Sequence, residues 1–309
     1  MTGTFREALR RASQALAEAG SDEAHLEAEL LLAHALDTDR THLYQRLPEE
    51  LPSGAGGRFE ALLRRRLAHE PTAYIVGHRE FFGLELEVTP AAIIPRQETE
   101  TLVELVLDFV RERGLVEPRI ADIGVGCGAI AVALAVSLPQ ATVIAVDISP
   151  DALALARRNA ERHAVAERID FREGDLLAPL DESAHPEPVE GRAYPEPTAD
   201  VGLDSSRRVD VIAANLPYVR SGDFEAGPPE IREHEPRLGL DGGPDGLRLI
   251  GRLLRDAPAC LKPGGALFAE IGEEQGEAAL ALARACFPQA RIEIKQDLSA
   301  LDRVLVVRT

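Results

Sequence analysis

From about residue 97 onward, short apolar runs alternate with stretches of helical spacing. That alternation restricts the fold more than any other feature of the chain. Strands are expected at 119–123, 142–147, 168–172, 209–214, 266–271, 291–295 and 303–308. Helices are expected at 97–113, 128–137, 150–164, 246–260 and 274–286. Strands separated by helices form a mostly parallel sheet covered on both faces, because each parallel crossover carries a helix back across the sheet. The last two strands lie close together, which suits an antiparallel hairpin at the end of the sheet. The expected class is α/β, with a seven-stranded Rossmann-like sheet.

The first 72 residues have a different rhythm. Leu9, Ala12 and Leu16, then Leu26, Leu30, Leu31 and Ala35, recur at helical spacing within 4–19 and 22–36. Ser21-Asp22-Glu23 offers a helix start, and a third helical segment runs from Arg58 to Glu70 and stops at Pro71. Residues 1–72 are therefore expected to be a small helical domain, either a stability cap or a docking surface for a macromolecular substrate. Residues 73–96 contain Glu80-Phe81-Phe82-Gly83-Leu84-Glu85-Leu86, which alternates around a glycine and is expected to be a β-hairpin linker. Residues 97–309 form the main domain. Within it, 181–207 breaks the pattern: His185-Pro186-Glu187-Pro188 is echoed by Tyr194-Pro195-Glu196-Pro197. So acidic and proline-rich a stretch cannot bury a core, and a disordered surface insertion is expected there.

The chain has 309 residues, 45% of them hydrophobic, enough for a sizeable core and two domains. No apolar run approaches the ~20 residues of a membrane span. The opening Met1 to Arg6 leads into an amphipathic pattern, unlike a secretory signal. The three cysteines, at 127, 260 and 286, form no Cys-x-x-Cys pair. That argues against a disulfide framework or a metal site and for a reducing cytoplasm. A net charge of −18 disfavours direct nucleic-acid binding.

Arg119 to Ile123 leads into Gly124-Val125-Gly126-Cys127-Gly128 and then a helical stretch. A glycine-rich turn between strand and helix lets the backbone approach a ligand whose polar end faces the helix N-terminus. The next strand ends in Asp147, about 20 residues on, where a carboxylate can bind ribose hydroxyls. The alternative for Asp147 is a helix N-terminal charge ahead of Ser149-Pro150. NAD and S-adenosylmethionine both fit such a turn, and the Gly-x-Gly-x-Gly spacing favours S-adenosylmethionine. Gly174, Asp175 and Leu176 close the third strand and are expected to border the adenine, or else to be an ordinary turn. Cys127 has no activating neighbour in the sequence and is expected to be a small side chain in a crowded turn.

The apolar run Val209 to Ala214 is followed by Asn215-Leu216-Pro217-Tyr218. An Asn where a buried strand ends is a recognition device for a planar NH2 group. Its side-chain carbonyl and a nearby backbone carbonyl each accept one amide hydrogen, and an aromatic face can lie on the planar group. Tyr218 is expected either to form that wall or simply to fill the sheet edge. A nucleoside site beside an amide site points to methyl transfer onto an amide or amino nitrogen.

Taken with the glycine turn, 215–218 resembles the motif of the HemK/PrmC family, the protein-(glutamine-N5) methyltransferases that modify peptide chain release factors. The resemblance spans nearly the whole chain outside 181–207. It includes Tyr74-Ile75-Val76-Gly77, Glu80-Phe81-Phe82-Gly83-Leu84, and Ile94-Pro95-Arg96-Gln97-Glu98-Thr99-Glu100, close to the family's Pro-Arg-Pro-Glu-Thr-Glu. It continues through Glu235-Pro236-Arg237-Leu238, Leu240-Asp241-Gly242-Gly243, Glu270-Ile271-Gly272 and Gln275-Gly276. Leu216 stands where the family has its first Pro, and Gln97 also replaces a Pro.

The resemblance implies a cytoplasmic S-adenosylmethionine-dependent methyltransferase domain without a metal. Gly124, Val125, Gly126, Cys127, Gly128, Asp147, Asp175, Leu176 and Asn215 are expected to line the cofactor, and Asn215, Leu216, Pro217 and Tyr218 to bind and activate the substrate. It further implies that the acceptor is the glutamine of the Gly-Gly-Gln loop in class 1 release factors. A ribosomal-protein glutamine methyltransferase shares this core. An adenine-N6 DNA methyltransferase shares the Asn-Pro-Pro-Tyr motif, and the acidic balance counts against it. A non-catalytic module of the same fold is disfavoured by the intact motifs.

Overall fold

The computed structural model describes residues 3–180 and 208–309, so the expected insertion at 181–207 lies outside the described residues. The chain falls into two compact units: Met1–His78 with Gly227–Glu235, and Arg79–Ala226 with Pro236–Thr309.

The first unit is helical: α1 Phe5–Glu18, α2 Ala24–Ala35, α3 Arg40–Gln45, α4 Ala55–Leu67 and α5 Thr72–Val76. Helix α1 begins in a capping box, with Thr4 accepting from the Glu7 amide while the Glu7 carboxylate accepts from the Thr4 amide. Phe5, Ala8, Leu9, Ala12 and Leu16, spaced three and four apart, are its buried stripe. Ser21 does not cap α2, since Glu23 is the capping residue and Ser21 Oγ donates to Glu27. Helix α4 starts three residues earlier than expected and ends at Leu67, ahead of His69 at φ +66°, so Pro71 opens the short α5 instead of stopping α4. Arg66 is nearly buried and pairs with Glu27 at 2.8 Å and Glu230 at 3.1 Å. Through Glu230 the 227–235 segment joins this unit despite its distance in sequence.

The second unit opens with the strands β1 His78–Phe81 and β2 Leu84–Glu87, which pair through a turn with positive φ at Phe82 and Gly83. Then follow α6 Glu100–Arg113, β3 Arg119–Ile123, α7 Ala129–Ser137, β4 Thr142–Asp147, α8 Pro150–Arg162 and β5 Ile169–Glu173. From residue 208 onward come β6 Val209–Ala214, β7 Val219–Arg220, α9 Ser221–Ala226, the first unit's α10 Pro229–His234, and β8 Asp241–Gly243. The chain ends with α11 Arg248–Cys260, β9 Leu261–Glu270, α12 Gly276–Cys286, β10 Arg291–Gln296 and β11 Asp302–Arg308.

The seven-stranded sheet has the order β10-β11-β9-β6-β3-β4-β5. Five strands are parallel, and β11 runs antiparallel to both β9 and β10, as the close spacing of the last two strands requires. Alternate residues of each strand face opposite cores: Ile120 packs with α6, α7 and α8, while Ala121 and Ile123 pack with α11 and α12. The sequence connections turn in opposite directions on either side of β3. In such sheets ligands bind in the crevice beyond the carboxyl ends of the strands at this point. Ile123 of β3 pairs with Ala214 of β6, so Gly124 and Asn215 emerge side by side at the crevice.

Candidate active site

A cavity of about 570 Å³ opens at this crevice, bounded by Gly124, Gly126, Asp147, Asp175, Leu176, Asn215, Leu216 and Pro217. Each of its two ends is built differently.

The first end is mostly backbone. The amides of Gly124 and Val125 both donate to the Val146 carbonyl, tying the turn to the end of β4. Gly126 N–H donates to Asp147 Oδ2 at 2.9 Å, and Ser149 N–H donates to Oδ1 at 2.9 Å. These bonds hold the carboxylate at the cavity wall with lone pairs to spare. Burial still pushes the Asp147 carboxyl above its ordinary range, with the backbone donors opposing the shift. Val125, Cys127 and Gly128 shape the turn without lining the cavity. The Cys127 carbonyl accepts from Asn159 Nδ2, and burial pushes its thiol up to about 12, so the thiol stays protonated and non-nucleophilic. Gly128, at φ +89°, starts α7, and a Cβ there would meet Ala156 Cα at 3.1 Å. Asp175 forms an ion pair with Arg252 at 2.7 Å at the far side.

Behind this turn lies Asp122, which belongs to the strand end of the glycine-turn motif but has no role of its own readable from the sequence. It is completely buried; Oδ2 accepts from Ala131 N–H at 2.9 Å, while Oδ1 has no hydrogen-bond partner. Burial drives its carboxyl up to about 7, and the nearby Asp147 charge adds to the shift.

The second end is built from side chains. Asn215 Nδ2 donates to Thr99 Oγ1 at 3.0 Å, while no other described residue binds Oδ1. Leu216 is buried, and its Cδ2 would stand 3.0 Å from a Cβ added at Gly124. The Leu in place of the family's Pro therefore fills space under the glycine turn as well as carrying a carbonyl. Tyr218 does not line the cavity. Its ring packs on the α11–α12 core and its hydroxyl donates to Glu270 Oε1 at 3.0 Å. A phenol in so buried a place needs a partner, and desolvation followed by the Glu270 charge pushes its pKa well up. Gln275, also buried, donates to the Tyr218 carbonyl at 2.9 Å and accepts from Gly272 N–H at 2.8 Å, clamping the loop that leaves the motif.

Thr99, Glu270 and Gln275 lie within the stretches that carry the family resemblance, but the sequence assigned them no role. The available signal was a charged residue, Glu270, ending an otherwise apolar strand.

A nucleoside-sized crevice at the switch point, an acid closing the second strand and an amide side chain closing the fourth define a Rossmann-like methyltransferase. Comparison with solved structures agrees on the fold: the hMettl16 catalytic domain, crystallised with a MAT2A 3′UTR hairpin, superposes with a TM-score of 0.53 over 80% of each chain at 15% identity. Residues 7–77 match the PrmC N-terminal domain and residues 120–186 a Methyltransferase domain. The release factor glutamine methyltransferase of Moorella thermoacetica is 42% identical over 97% of this chain and 96% of its own. That of Geobacter sulfurreducens is 41% identical over 98% and 95%, and that of Bacillus anthracis 32% identical over 97% of each. The chain thus belongs to the release factor glutamine methyltransferase family, S-adenosylmethionine-dependent enzymes that methylate protein glutamine. No helix among the described residues is long and apolar enough to cross a membrane.

Proposed function

We propose that the enzyme transfers a methyl group from S-adenosylmethionine to the side-chain amide nitrogen of the glutamine in the Gly-Gly-Gln loop of class 1 release factors. The observation that carries this reading is the polarity of Asn215. With Nδ2 committed to Thr99, Oδ1 is the branch left to the cavity, and an acceptor there suits an NH2 group.

The residues present fit the cofactor. The turn at 124–128 allows close backbone approach, Asp147 offers carboxylate lone pairs to ribose hydroxyls, and Asp175 with Leu176 bounds the space for a base. When bound, S-adenosylmethionine supplies a methyl group that is already strongly electrophilic. The chain's own residues therefore mainly position and polarise. Asn215 Oδ1 and the Leu216 carbonyl accept the two amide hydrogens and fix the nitrogen's direction of attack. As positive charge develops on that nitrogen, both acceptors hold it more tightly, which favours the transition state over the ground state. Water takes the released proton, so no strong base is required at the site.

Asn215→Ala should leave the fold and cofactor affinity intact while kcat falls about 100- to 1,000-fold, by analogy with the loss of one oxyanion-hole donor. Incubation with labelled cofactor and release factor, ribosomal protein or DNA in parallel, followed by peptide mapping, should place one methyl on the release-factor glutamine. Label on a ribosomal protein or on adenine instead would refute the substrate assignment.

A further inference from the structure

An asparagine side chain is nearly symmetrical in shape and opposite in polarity at its two ends. Rotated by a half-turn, Asn215 would fill the same space and present donors to a substrate NH2 group, which already carries donors. The site therefore needs something that decides which branch faces the cavity. Thr99 Oγ1 binds the inward branch, but a hydroxyl both donates and accepts, so alone it does not choose.

Glu270 makes the choice possible. Its carboxylate is 1% exposed, stands at the end of β9, and when ionised can only accept. Tyr218 donates its hydroxyl to Oε1. Burial pushes this carboxyl above its ordinary range, and hydrogen bonds from the Thr99 hydroxyl, itself 3% exposed, and from Tyr218 oppose that shift by favouring the charged form. Oε2 has no hydrogen-bond partner among the described residues, so the group retains accepting capacity inside the protein. Arg303 faces it with opposite charge and Glu98 with like charge. A threonine proton drawn to this carboxylate leaves a lone pair turned toward Asn215. That lone pair can bind only the Nδ2 branch.

We infer that Thr99 and Glu270 form a buried positioning relay: the carboxylate orients the Thr99 hydroxyl, which fixes the Asn215 amide with Oδ1 toward the acceptor nitrogen, while the same carboxylate anchors Tyr218 behind the loop. Neither residue lines the cavity, so both act through Asn215 and its loop. The catalytic consequence rests on the glutamine reading above; the orientation of Asn215 does not.

Thr99→Val removes the hydroxyl at nearly constant volume, and Thr99→Ser keeps it. In Thr99→Val, kcat with a release-factor substrate should fall by about 10-fold or more, equivalent to losing one hydrogen bond in the transition state. Cofactor Kd and Tm should stay near wild type, and Thr99→Ser should recover most of the loss. A purely structural role predicts the opposite ranking, since Ser also deletes a buried methyl group. Glu270→Gln, which introduces a donor beside Thr99, should also lower kcat, with an effect less than additive in combination with Thr99→Val. A second readout is independent of the substrate. The Asn215 side-chain NH2 resonances, identified by their disappearance in Asn215→Ala, should exchange slowly with solvent in the wild type and in Thr99→Ser, and rapidly in Thr99→Val. Unchanged exchange in Thr99→Val overturns the relay. Restored slow exchange in Thr99→Ser, with no methylation of any glutamine by the wild type, would sink the substrate reading and leave the relay standing.

Discussion

The two ends of the cavity meet at adjacent strand ends but solve different problems with different materials. The glycine-turn end holds its shape through main-chain donors: Gly124 and Val125 to the Val146 carbonyl, and Gly126 and Ser149 to the Asp147 carboxylate. The Asn215 end depends on side chains drawn from distant parts of the chain, with Thr99 just before α6, Glu270 closing β9 and Gln275 before α12. Main-chain donors fix the shape of a binding surface, and they need glycine where the turn is tight and a carboxylate to tie them down. Side-chain construction sets polarity and aim, which a reaction needs, and makes that aim vulnerable to single substitutions far away.

If this division is right, damage at one end should appear in kcat and damage at the other in cofactor affinity. Beyond the Asn215 and Thr99 variants, the largest effect is expected from Gly242→Ala. Its Cβ would lie 2.5 Å from the Pro217 carbonyl oxygen and 2.8 Å from Tyr218 Cα, so the motif's backbone must shift. A displacement approaching 1 Å costs about 100-fold in kcat. Calorimetry should find cofactor affinity unchanged, and a joint loss of both would erase the distinction between the two ends. Asp147→Ala should do the reverse, weakening cofactor binding about 10-fold or more through lost charge-assisted hydrogen bonds, with kcat preserved at saturating cofactor. Equal affinity in this variant would remove Asp147 from the ribose role.

Asp122 tests what the rigid end costs in stability. Its folded pKa of about 7 exceeds the ordinary 3.8, so between these values the folded protein keeps a proton that the unfolded chain has lost. Stability contributed by this group is full below about pH 4 and declines as pH rises to about 7, by roughly 4 kcal/mol at most. Asp122→Asn retains an oxygen for Ala131 N–H and removes the ionisation. Its stability relative to wild type should therefore rise steadily from pH 4 to pH 8 in denaturant titrations. A difference independent of pH would mean that Asp122 does not titrate in this range. Smallest of all should be the effect of Leu216→Pro: kcat close to wild type because the carbonyl is kept, and a modest drop in Tm because a buried side chain is trimmed.

The contrast also explains what could be foreseen. The sheet, its five parallel strands and the closing hairpin were legible because the apolar periods of 97–309 are local and strong. The glycine turn and Asp147 were legible for the same reason: backbone geometry leaves a compact trace in glycine spacing and strand ends. Asn215 was visible as a polar residue where a buried strand stops. Its partners were not, since Asn215 to Thr99 spans 116 residues and Tyr218 to Glu270 spans 52. Pairings at such distances leave no period in a single chain. In the helical unit, α3 and α5 were too short to show a period, and the attachment of 227–235 through Arg66 and Glu230 is again a long-range ion pair.

The contact between Leu216 and the space above Gly124 has a consequence for how such chains can diverge. Gly124 sits at φ +79°, and any side chain added there would press on Leu216 Cδ2 as well as strain the backbone. A proline at 216 has no Cδ2 branch of that reach, so it would lift the closest of the side-chain contacts on position 124 while the backbone torsion remained. Here two restraints act on it. The route back to an ordinary residue in the glycine turn passes first through position 216, and the two motifs, 92 positions apart, are not free to drift independently.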